Sequence, residues 1–170
     1  VLQVVATVGY NLLGGDDFDH ILSQYIAKKL NIDLTPSLHS ESKKIKEILS
    51  SNNSFILNTY DKAIEITREI FEELISPLIN QTIKIAKNTL FDADIKLDGI
   101  ILVGGATRIP CISDSLTRTF GVKVFSDIDP DKAVVIGAAL QAENLSSTST
   151  QNSLLIDVLP LSVGLELYGG

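Results

Sequence analysis

The chain has 170 residues, 45% of them hydrophobic, and a formal net charge of −7. This is enough to bury one good core, and the composition is that of a folded globular domain. A nucleic-acid partner is disfavoured, because 14 basic residues against 21 acidic ones cannot build a phosphate-neutralising surface. One cysteine excludes an internal disulfide, and no apolar run has transmembrane length. We therefore expect a reducing, soluble compartment and no membrane partner.

The first predicted elements are an extended segment and two helices. Residues 1–6 form an apparent strand with no initiator methionine, so we expect the chain to be a piece of a longer protein. After the glycine pair at 14–15, apolar residues recur at helical spacing up to Leu30. A break at Thr35-Pro36 then precedes a second helix over 37–51, whose apolar face is thinner.

The middle of the chain predicts a hairpin, a long helix and a buried strand. Two short apolar segments within 54–66 flank a turn, as in a small hairpin. Residues 71–90 keep one face apolar over more than five turns, which indicates an amphipathic helix. The run at 99–103 shows no alternation, so we expect a strand covered on both faces. The elements thus alternate as in a mixed α/β domain.

The last third begins with a second glycine pair, at 104–105, followed by a helix of about ten residues with a buried apolar stripe. Asp129-Pro130 is a helix start signal, and the helix expected over 131–143 is rich in small residues. A Ser/Thr-rich tether at 144–152 precedes a new extended apolar segment at 154–158.

The two glycine pairs are the candidates for a binding site. Each lies where an apolar run gives way to a helix, so backbone amides can approach a bound group without a side chain between them. Their spacing suggests two related crossings of one sheet. A glycine pair after a strand is, however, more often a plain tight turn, and the flanking residues must decide between the two readings.

Four segments together resemble a known family over the whole chain. GGDDFDH at 14–20, VGGATRIP at 103–110, IDPDKAVVIGAALQAE at 128–143 and LLIDVLPLSVGLELYGG at 154–170 occur in the order and spacing of the seventy-kilodalton heat-shock chaperones, the DnaK-like ATPases. Within that family, the chain looks most like the HscA-type specialist that serves iron–sulfur cluster assembly. Its distinguishing features include Asp16-Asp17 and the Leu-Pro-Leu-Ser stretch after Val158.

The resemblance implies an α/β fold, the second lobe of an actin-like ATPase. Residues 1–143 would form this lobe, with a mixed β-sheet and helices plus a helical and hairpin sub-lobe at about 17–98. Residues 144–159 would be the interdomain linker, and 160–170 the truncated start of the substrate-binding domain. The hydrolytic residues and the magnesium site would belong to the missing first lobe or to the segment just upstream, so this piece should contain neither a catalytic nor a metal-binding residue and should not turn over ATP.

The resemblance also assigns adenine-nucleotide contacts. Gly104 and Gly105 match glycines whose backbone passes the α-phosphate and ribose, and Ala106 stands where the family more often has serine. Arg108 matches an arginine that stacks on the adenine of ATP or ADP. The other matching contacts are Gly15 in the cleft wall, Asp131 near the ribose and base edge, and Lys46 and Ser50 at the ribose hydroxyls and adenine.

Two positions depart from the general family pattern. Glu47 stands where many members carry a second adenine-stacking arginine, and Lys43 where many carry a ribose-binding glutamate. HscA-type members also tend to lack both groups, so we expect ATP binding that is weaker than in the general chaperones. Taken alone, Lys46 is better explained as a solvated helix residue, and Cys111 as a half-buried structural thiol.

The parent implied by the resemblance is an ATP-driven chaperone of the bacterial cytoplasm or an equivalent reducing compartment. Its partners would be a J-domain co-chaperone and an iron–sulfur scaffold or unfolded client held by the missing domain. The nearer alternative is a general protein-folding chaperone of the same family, and the more distant ones are a pure binding module and a lobe of another actin-superfamily ATPase. The apolar run after residue 153 favours the chaperones, because sugar kinases and filament proteins lack it.

Overall fold

The computed structural model describes residues 2–10, 13–59, 62–125, 129, 132–146 and 155–156. Within these ranges the chain forms five α-helices, one 3-10 helix and six short strands. In chain order they are β1 (Leu2–Gln3), α1 (Gly15–Leu30), α2 (Pro36–Ser51), β2 (Ser54–Asn58), β3 (Ala63–Thr67), α3 (Arg68–Asp92), β4 (Gly99–Ile101), the 3-10 helix (Gly105–Arg108), α4 (Pro110–Phe120), β5 (Lys123–Phe125), α5 (Ala133–Ser146) and β6 (Leu155–Ile156). The mixed α/β character is as predicted.

The strands of the described residues pair as three separate two-stranded sheets. β1 runs parallel to β6, β2 and β3 form the antiparallel hairpin, and β4 runs parallel to β5. Two predictions are therefore wrong for these residues. The glycine pairs do not follow two strands of one sheet, and the extended segment at 1–6 contributes only two residues to a strand. The expected linker at 144–159 begins as helix, because α5 runs on to Ser146.

Local capping explains why the predicted helices start where they do. The Gly14 N–H donates to the Asp17 carboxylate at 2.7 Å, which satisfies a free backbone donor at the start of α1. Thr35 and Thr67 accept hydrogen bonds from Leu38 and Ile70, and so cap α2 and α3. The two helices and the hairpin predicted within 17–66 are confirmed, as is the long helix after them.

The main hydrophobic core lies between α1, α2, α3 and the hairpin. Large side chains from every one of these elements are fully buried there, namely Leu22, Ile26, Ile45, Leu49, Ile66, Phe71 and Ile75. The core extends to Ile109, just after the 3-10 helix. This packing fixes α1 and α2 relative to the segment that carries the second glycine pair.

The β4 region differs from the prediction of a strand covered on both faces. Ile101 and Val103 are 60% and 53% exposed, whereas Leu102 between them is buried. The strand β5 of this small sheet packs against α4, whereas no described element covers Ile101 and Val103 enough to bury them. α5 is also largely exposed along its apolar surface. No helix in the described ranges has the length and apolar character needed to cross a bilayer.

Candidate functional site

A cleft of about 900 Å³ lies between α2 and the segment that runs from β4 through the 3-10 helix into α4. One wall comes from α2, the opposite wall from the glycine-pair segment, and Asp16 from the start of α1 also contributes. The lining residues are Asp16, Lys43, Lys46, Glu47, Ser50, Ser51, Leu102, Gly105, Ala106, Thr107, Arg108, Ile109, Pro110 and Ser113. The structure thus brings together residues that lie more than 50 positions apart in the chain.

The glycine-pair wall begins with a backbone turn that only glycine adopts readily. Gly104 has φ 90° and ψ 147°, a region that is strained for residues with a β-carbon. The Thr107 hydroxyl and N–H both donate to the Gly104 carbonyl, at 2.6 Å and 3.0 Å. These two hydrogen bonds to one carbonyl oxygen close the turn and leave Gly105 and Ala106 in the cleft wall. Gly104 itself shapes the wall without lining it.

Arg108 lies at the end of this wall, with its side chain about 50% exposed. Its Nη2 lies 3.1 Å from Oδ1 of Asp129, and Lys132 approaches the other oxygen of the same carboxylate at 3.5 Å. Asp129 was predicted from sequence only as a helix-start residue. Its carboxylate also orients the arginine that faces the cleft, which sequence reasoning missed because the two residues are 21 positions apart.

Lys46 faces the cleft from α2, but its ammonium group is engaged inside the protein. The residue is only 8% exposed. Its Nζ lies 2.9 Å and 3.0 Å from the two carboxylate oxygens of Asp19, and 3.0 Å from the Gly15 carbonyl. The interpretation of Lys46 as a solvated helix residue is therefore wrong. Asp19 is fully buried and pairs with a residue 27 positions away, which no local pattern in the sequence indicates.

The remaining predicted residues differ in their placement. Ser50 lines the cleft, and its hydroxyl donates to the Lys46 carbonyl at 3.1 Å. Gly15 lies behind the cleft, where an added β-carbon would be 3.2 Å from the Lys46 Nζ. Lys43 and Glu47, the two departures from the family pattern, both line the cleft. Asp131 lies outside the described residues.

The cleft suits an adenine nucleotide in size and chemistry. Its volume lies within the range usual for small-molecule sites. Gly105 offers bare backbone, Arg108 offers a planar cation at the rim, and Ser50 offers a hydroxyl. Within the described ranges, no cluster of three or more His, Cys, Asp or Glu side chains is placed to hold a metal ion.

The half-buried thiol of Cys111 lies beyond the cleft wall, in the first turn of α4. Burial raises its pKa from 9.0 to about 12, and the charge and hydrogen bond of Glu72 add to the effect. A thiol with so high a pKa stays protonated near neutral pH, so it is a poor nucleophile. The structure therefore favours the structural interpretation of Cys111.

Comparisons with a family model and with individual proteins point to the same family. A family model described as Hsp70 protein matches residues 1–170. The chain is 50% identical over 171 residues to a chaperone protein HscA homolog of Rickettsia prowazekii (strain Madrid E), and 52% identical to one of Rickettsia akari (strain Hartford). Each alignment covers 100% of this chain but only 28% of the relative, so the chain spans less than a third of the relatives' length.

Proposed function

The chain belongs to the Hsp70 protein family, and from that premise we propose that it is the adenine-nucleotide-binding lobe of an ATP-dependent chaperone dedicated to iron–sulfur cluster assembly. In this proposal it forms the second lobe of an actin-like ATPase. A first lobe and a client-binding domain are supplied by other parts of the same protein, the latter joined through residues 144–159. The names of the relatives support the HscA-type assignment over a general folding chaperone.

The observation that carries the proposal is the shared cleft. Gly105, Ala106 and Arg108 on one side, and Lys46 and Ser50 on the other, line one hollow. In the proposal, the guanidinium of Arg108 covers one face of the adenine. Asp129 supports this role, because its carboxylate accepts a hydrogen bond from the Arg108 guanidinium at 3.1 Å and so limits the positions that the side chain can take at the cleft.

The same cleft supports the expectation of modest affinity. Glu47 brings a negative charge to the wall where a second stacking arginine would stand, so adenine would be covered by a cation on one face only. Lys43 replaces a hydrogen-bond acceptor by a donor and therefore cannot accept a bond from a ribose hydroxyl. Nucleotide binding should be measurable but weaker than in family members that carry both groups.

The proposed division of labour leaves hydrolysis outside this lobe. The residues described here bind and orient the nucleoside, and when ATP is bound, magnesium and the phosphate-binding groups of the other lobe supply the hydrolytic chemistry. The 170-residue chain alone is therefore proposed to be inactive. A J-domain co-chaperone and an iron–sulfur scaffold are the partners proposed for the whole protein, which would act in the bacterial cytoplasm or an equivalent reducing compartment.

Calorimetric titration of the full-length protein with ADP tests the nucleotide site. Arg108→Ala should weaken ADP binding by about 2-fold to 30-fold, which corresponds to the range of about 0.5–2 kcal/mol for a cation–π contact. Arg108→Lys should also lose affinity, because an ammonium group cannot stack as a planar guanidinium does. Arg118→Ala, which removes an exposed arginine in the last turn of α4, is the matched control. If Arg108→Ala binds ADP as tightly as the control does, Arg108 is not part of the site.

The client assignment needs a separate experiment. The ATPase rate of the full-length protein would be measured with its J-domain co-chaperone and either an iron–sulfur scaffold protein or a permanently unfolded model protein. An HscA-type chaperone should be stimulated more strongly by the scaffold. Equal or greater stimulation by the unfolded protein would favour a general folding chaperone instead.

A further inference from the structure

Charged side chains line the cleft in the described part of the chain, and the protein itself neutralises some of them. They are Asp16, Lys43, Lys46, Glu47 and Arg108. The ammonium group of Lys46 pairs with Asp19, and the guanidinium of Arg108 pairs with Asp129. Opposite charges this close largely cancel each other's attraction for a more distant ion. The cleft's attraction for an anion therefore depends mainly on Lys43.

Lys43 has no such partner among the described residues. It is exposed on α2, and no carboxylate in the described ranges forms an ion pair with it. Glu47 lies one turn further along the same face of α2 and does not pair with it either. A lysine ammonium has three N–H donors and no acceptor. In this cleft, Lys43 can therefore direct its donors and its charge to a bound anion.

The α2 wall presents its polar groups in a fixed order. Lys43, Glu47 and Ser50 line the cleft and follow one another along one face of the helix. At a rise of about 1.5 Å per residue, Lys43 and Ser50 are about 10 Å apart along the helix axis. This length suits one nucleoside with a substituent on its sugar. The wall offers that ligand a cation first, then a carboxylate acceptor and then a hydroxyl.

The proposed nucleotide site gives this order a chemical meaning. In that site the base lies beside Ser50 and Arg108, so the sugar extends along α2 toward Lys43. In dinucleotide-binding proteins, a carboxylate recognises a free 2′ hydroxyl of the ribose, whereas an arginine accommodates a phosphate at the same position. A lysine also binds phosphate, as a compact point charge. A cation at the sugar end of the wall therefore suits a ribose that carries a phosphate.

We propose that the cleft accepts adenine nucleotides with an additional phosphate on the 2′ or 3′ hydroxyl of the ribose, and that Lys43 binds this phosphate. Glu47 confines the phosphate to the Lys43 end of the wall, because like charges repel each other further along α2. This inference rests on the proposed nucleotide function and adds a class of ligand to it.

Calorimetric titration of the full-length protein compares three nucleotides, which are ADP and its two analogues with a further phosphate on the 2′ or the 3′ hydroxyl. At least one analogue should bind to wild type as tightly as ADP or more tightly, because Lys43 offsets the added negative charge. Lys43→Met should weaken binding of that analogue about fivefold, the upper end of what an exposed ion pair contributes. It should change ADP binding by less than about twofold.

Further variants separate charge from other effects of the substitution. Lys43→Arg keeps the cation and should keep the binding of the analogue, whereas Lys43→Glu should weaken it more than Lys43→Met does. Lys44→Met is the matched control, because Lys44 lies next to Lys43 on α2 in an exposed pair with Glu41 and does not line the cleft. It should leave all three affinities unchanged. Since Lys43 is exposed, every variant should keep the wild-type melting temperature.

The outcomes separate this inference from the proposed function. An equal loss of ADP and analogue binding in Lys43→Met would show a general attraction for nucleotides and would overturn the inference. A wild type that binds ADP but binds both analogues more weakly would overturn it too, and either result keeps the nucleotide site. A wild type that binds none of the three nucleotides overturns the proposed function, and this inference with it.

Discussion

Gly104 is the residue whose backbone conformation matters most to the cleft wall. An alanine β-carbon there would find no heavy atom within 4 Å, so substitution meets no steric obstacle. The cost comes instead from φ 90°, and Gly104→Ala should destabilise the protein by about 1–3 kcal/mol, the usual cost of such a backbone conformation. Urea unfolding of wild type and variant measures this difference.

Gly9→Ala is the matched control for this prediction. Gly9 is also surrounded by open space, and its φ is not positive, so the added methyl group should change stability by no more than about 0.5 kcal/mol. If Gly104→Ala costs no more than Gly9→Ala, the turn at the second glycine pair does not require glycine.

Cys111 gives a prediction about pH. Its folded pKa of about 12 lies above the ordinary value of 9.0, so the folded state retains a proton that the unfolded state loses. The stability that this provides is fully present below pH 9 and is lost as the pH rises toward 12. Cys111→Ser should therefore lose stability less steeply than wild type above pH 9.

The test is to measure the unfolding free energy of wild type and Cys111→Ser from pH 7 upward and to compare how steeply it falls with pH. Other groups titrate in the same range but are common to both proteins, so their effects cancel in the difference. The slope for Glu72→Gln should lie between those of wild type and Cys111→Ser, because this variant removes the second cause of the raised Cys111 pKa but keeps the burial. Parallel curves for wild type and Cys111→Ser would contradict the raised pKa.

The individual site residues differ in how far sequence could predict them. Gly105, Ala106 and Arg108 belong to one continuous segment, so a local motif was enough to place them in the same wall. The partnership of Asp19 with Lys46 was not predicted, because it depends on how α1 packs against α2 and leaves no local pattern. The same holds for Asp129, which lies between β5 and α5 and contacts Arg108 just before α4.

At the scale of elements, helix starts give a direct test of the capping described above. Thr35 caps α2, which carries one wall of the cleft, by accepting a hydrogen bond from the Leu38 N–H at 3.1 Å. Thr35→Ala should cost about 1 kcal/mol of stability, the typical value for loss of an N-cap side chain. Chemical denaturation followed by circular dichroism measures it.

Thr82→Ala makes the same chemical change in the interior of a helix. The Thr82 hydroxyl donates to the Leu78 carbonyl, which already belongs to the helical ladder of α3, so nothing depends on this bond. Because alanine is the better helix former, this control should be neutral or slightly stabilising. A loss in Thr82→Ala as large as in Thr35→Ala would show that the cap is not the cause.

Helices were predictable because their signals are local. The periodicity of α1 and α3, the Thr35-Pro36 start and the hairpin turn all lie within a few residues of the elements that they define. The prediction for β4 is wrong because a run of apolar residues without alternation does not require burial on both faces of a sheet. How many faces of a strand are covered depends on the helices that pack on its sheet, and among the described residues α4 packs against β5 while Ile101 and Val103 stay exposed.

At the scale of the whole molecule, apolar burial is unevenly distributed. The core among α1, α2, α3 and the hairpin is tightly closed, whereas α5 exposes large apolar side chains by 50% to 79% of their surface. Val134 and Leu145 are 11 positions apart, which places them on nearly the same face of α5 after three turns. Apolar side chains this exposed favour association when they meet a second apolar surface.

We therefore expect the 170-residue chain to self-associate through α5. The net charge of −7 opposes association, but at physiological salt the repulsion between exposed charges extends only about 8 Å. The free energy gained by burying apolar surface is not screened by salt. Sedimentation equilibrium should give a mass that rises above 18.4 kDa with concentration. The double variant Val134→Glu, Leu145→Glu should stay a monomer, so its measured mass should not rise with concentration. Ile32→Glu combined with Leu34→Glu adds the same charge at two residues between α1 and α2 that are about half exposed, and this variant should still associate. If both double variants are monomeric, added charge and not the α5 face explains the effect, and a monomeric wild type would contradict the prediction altogether.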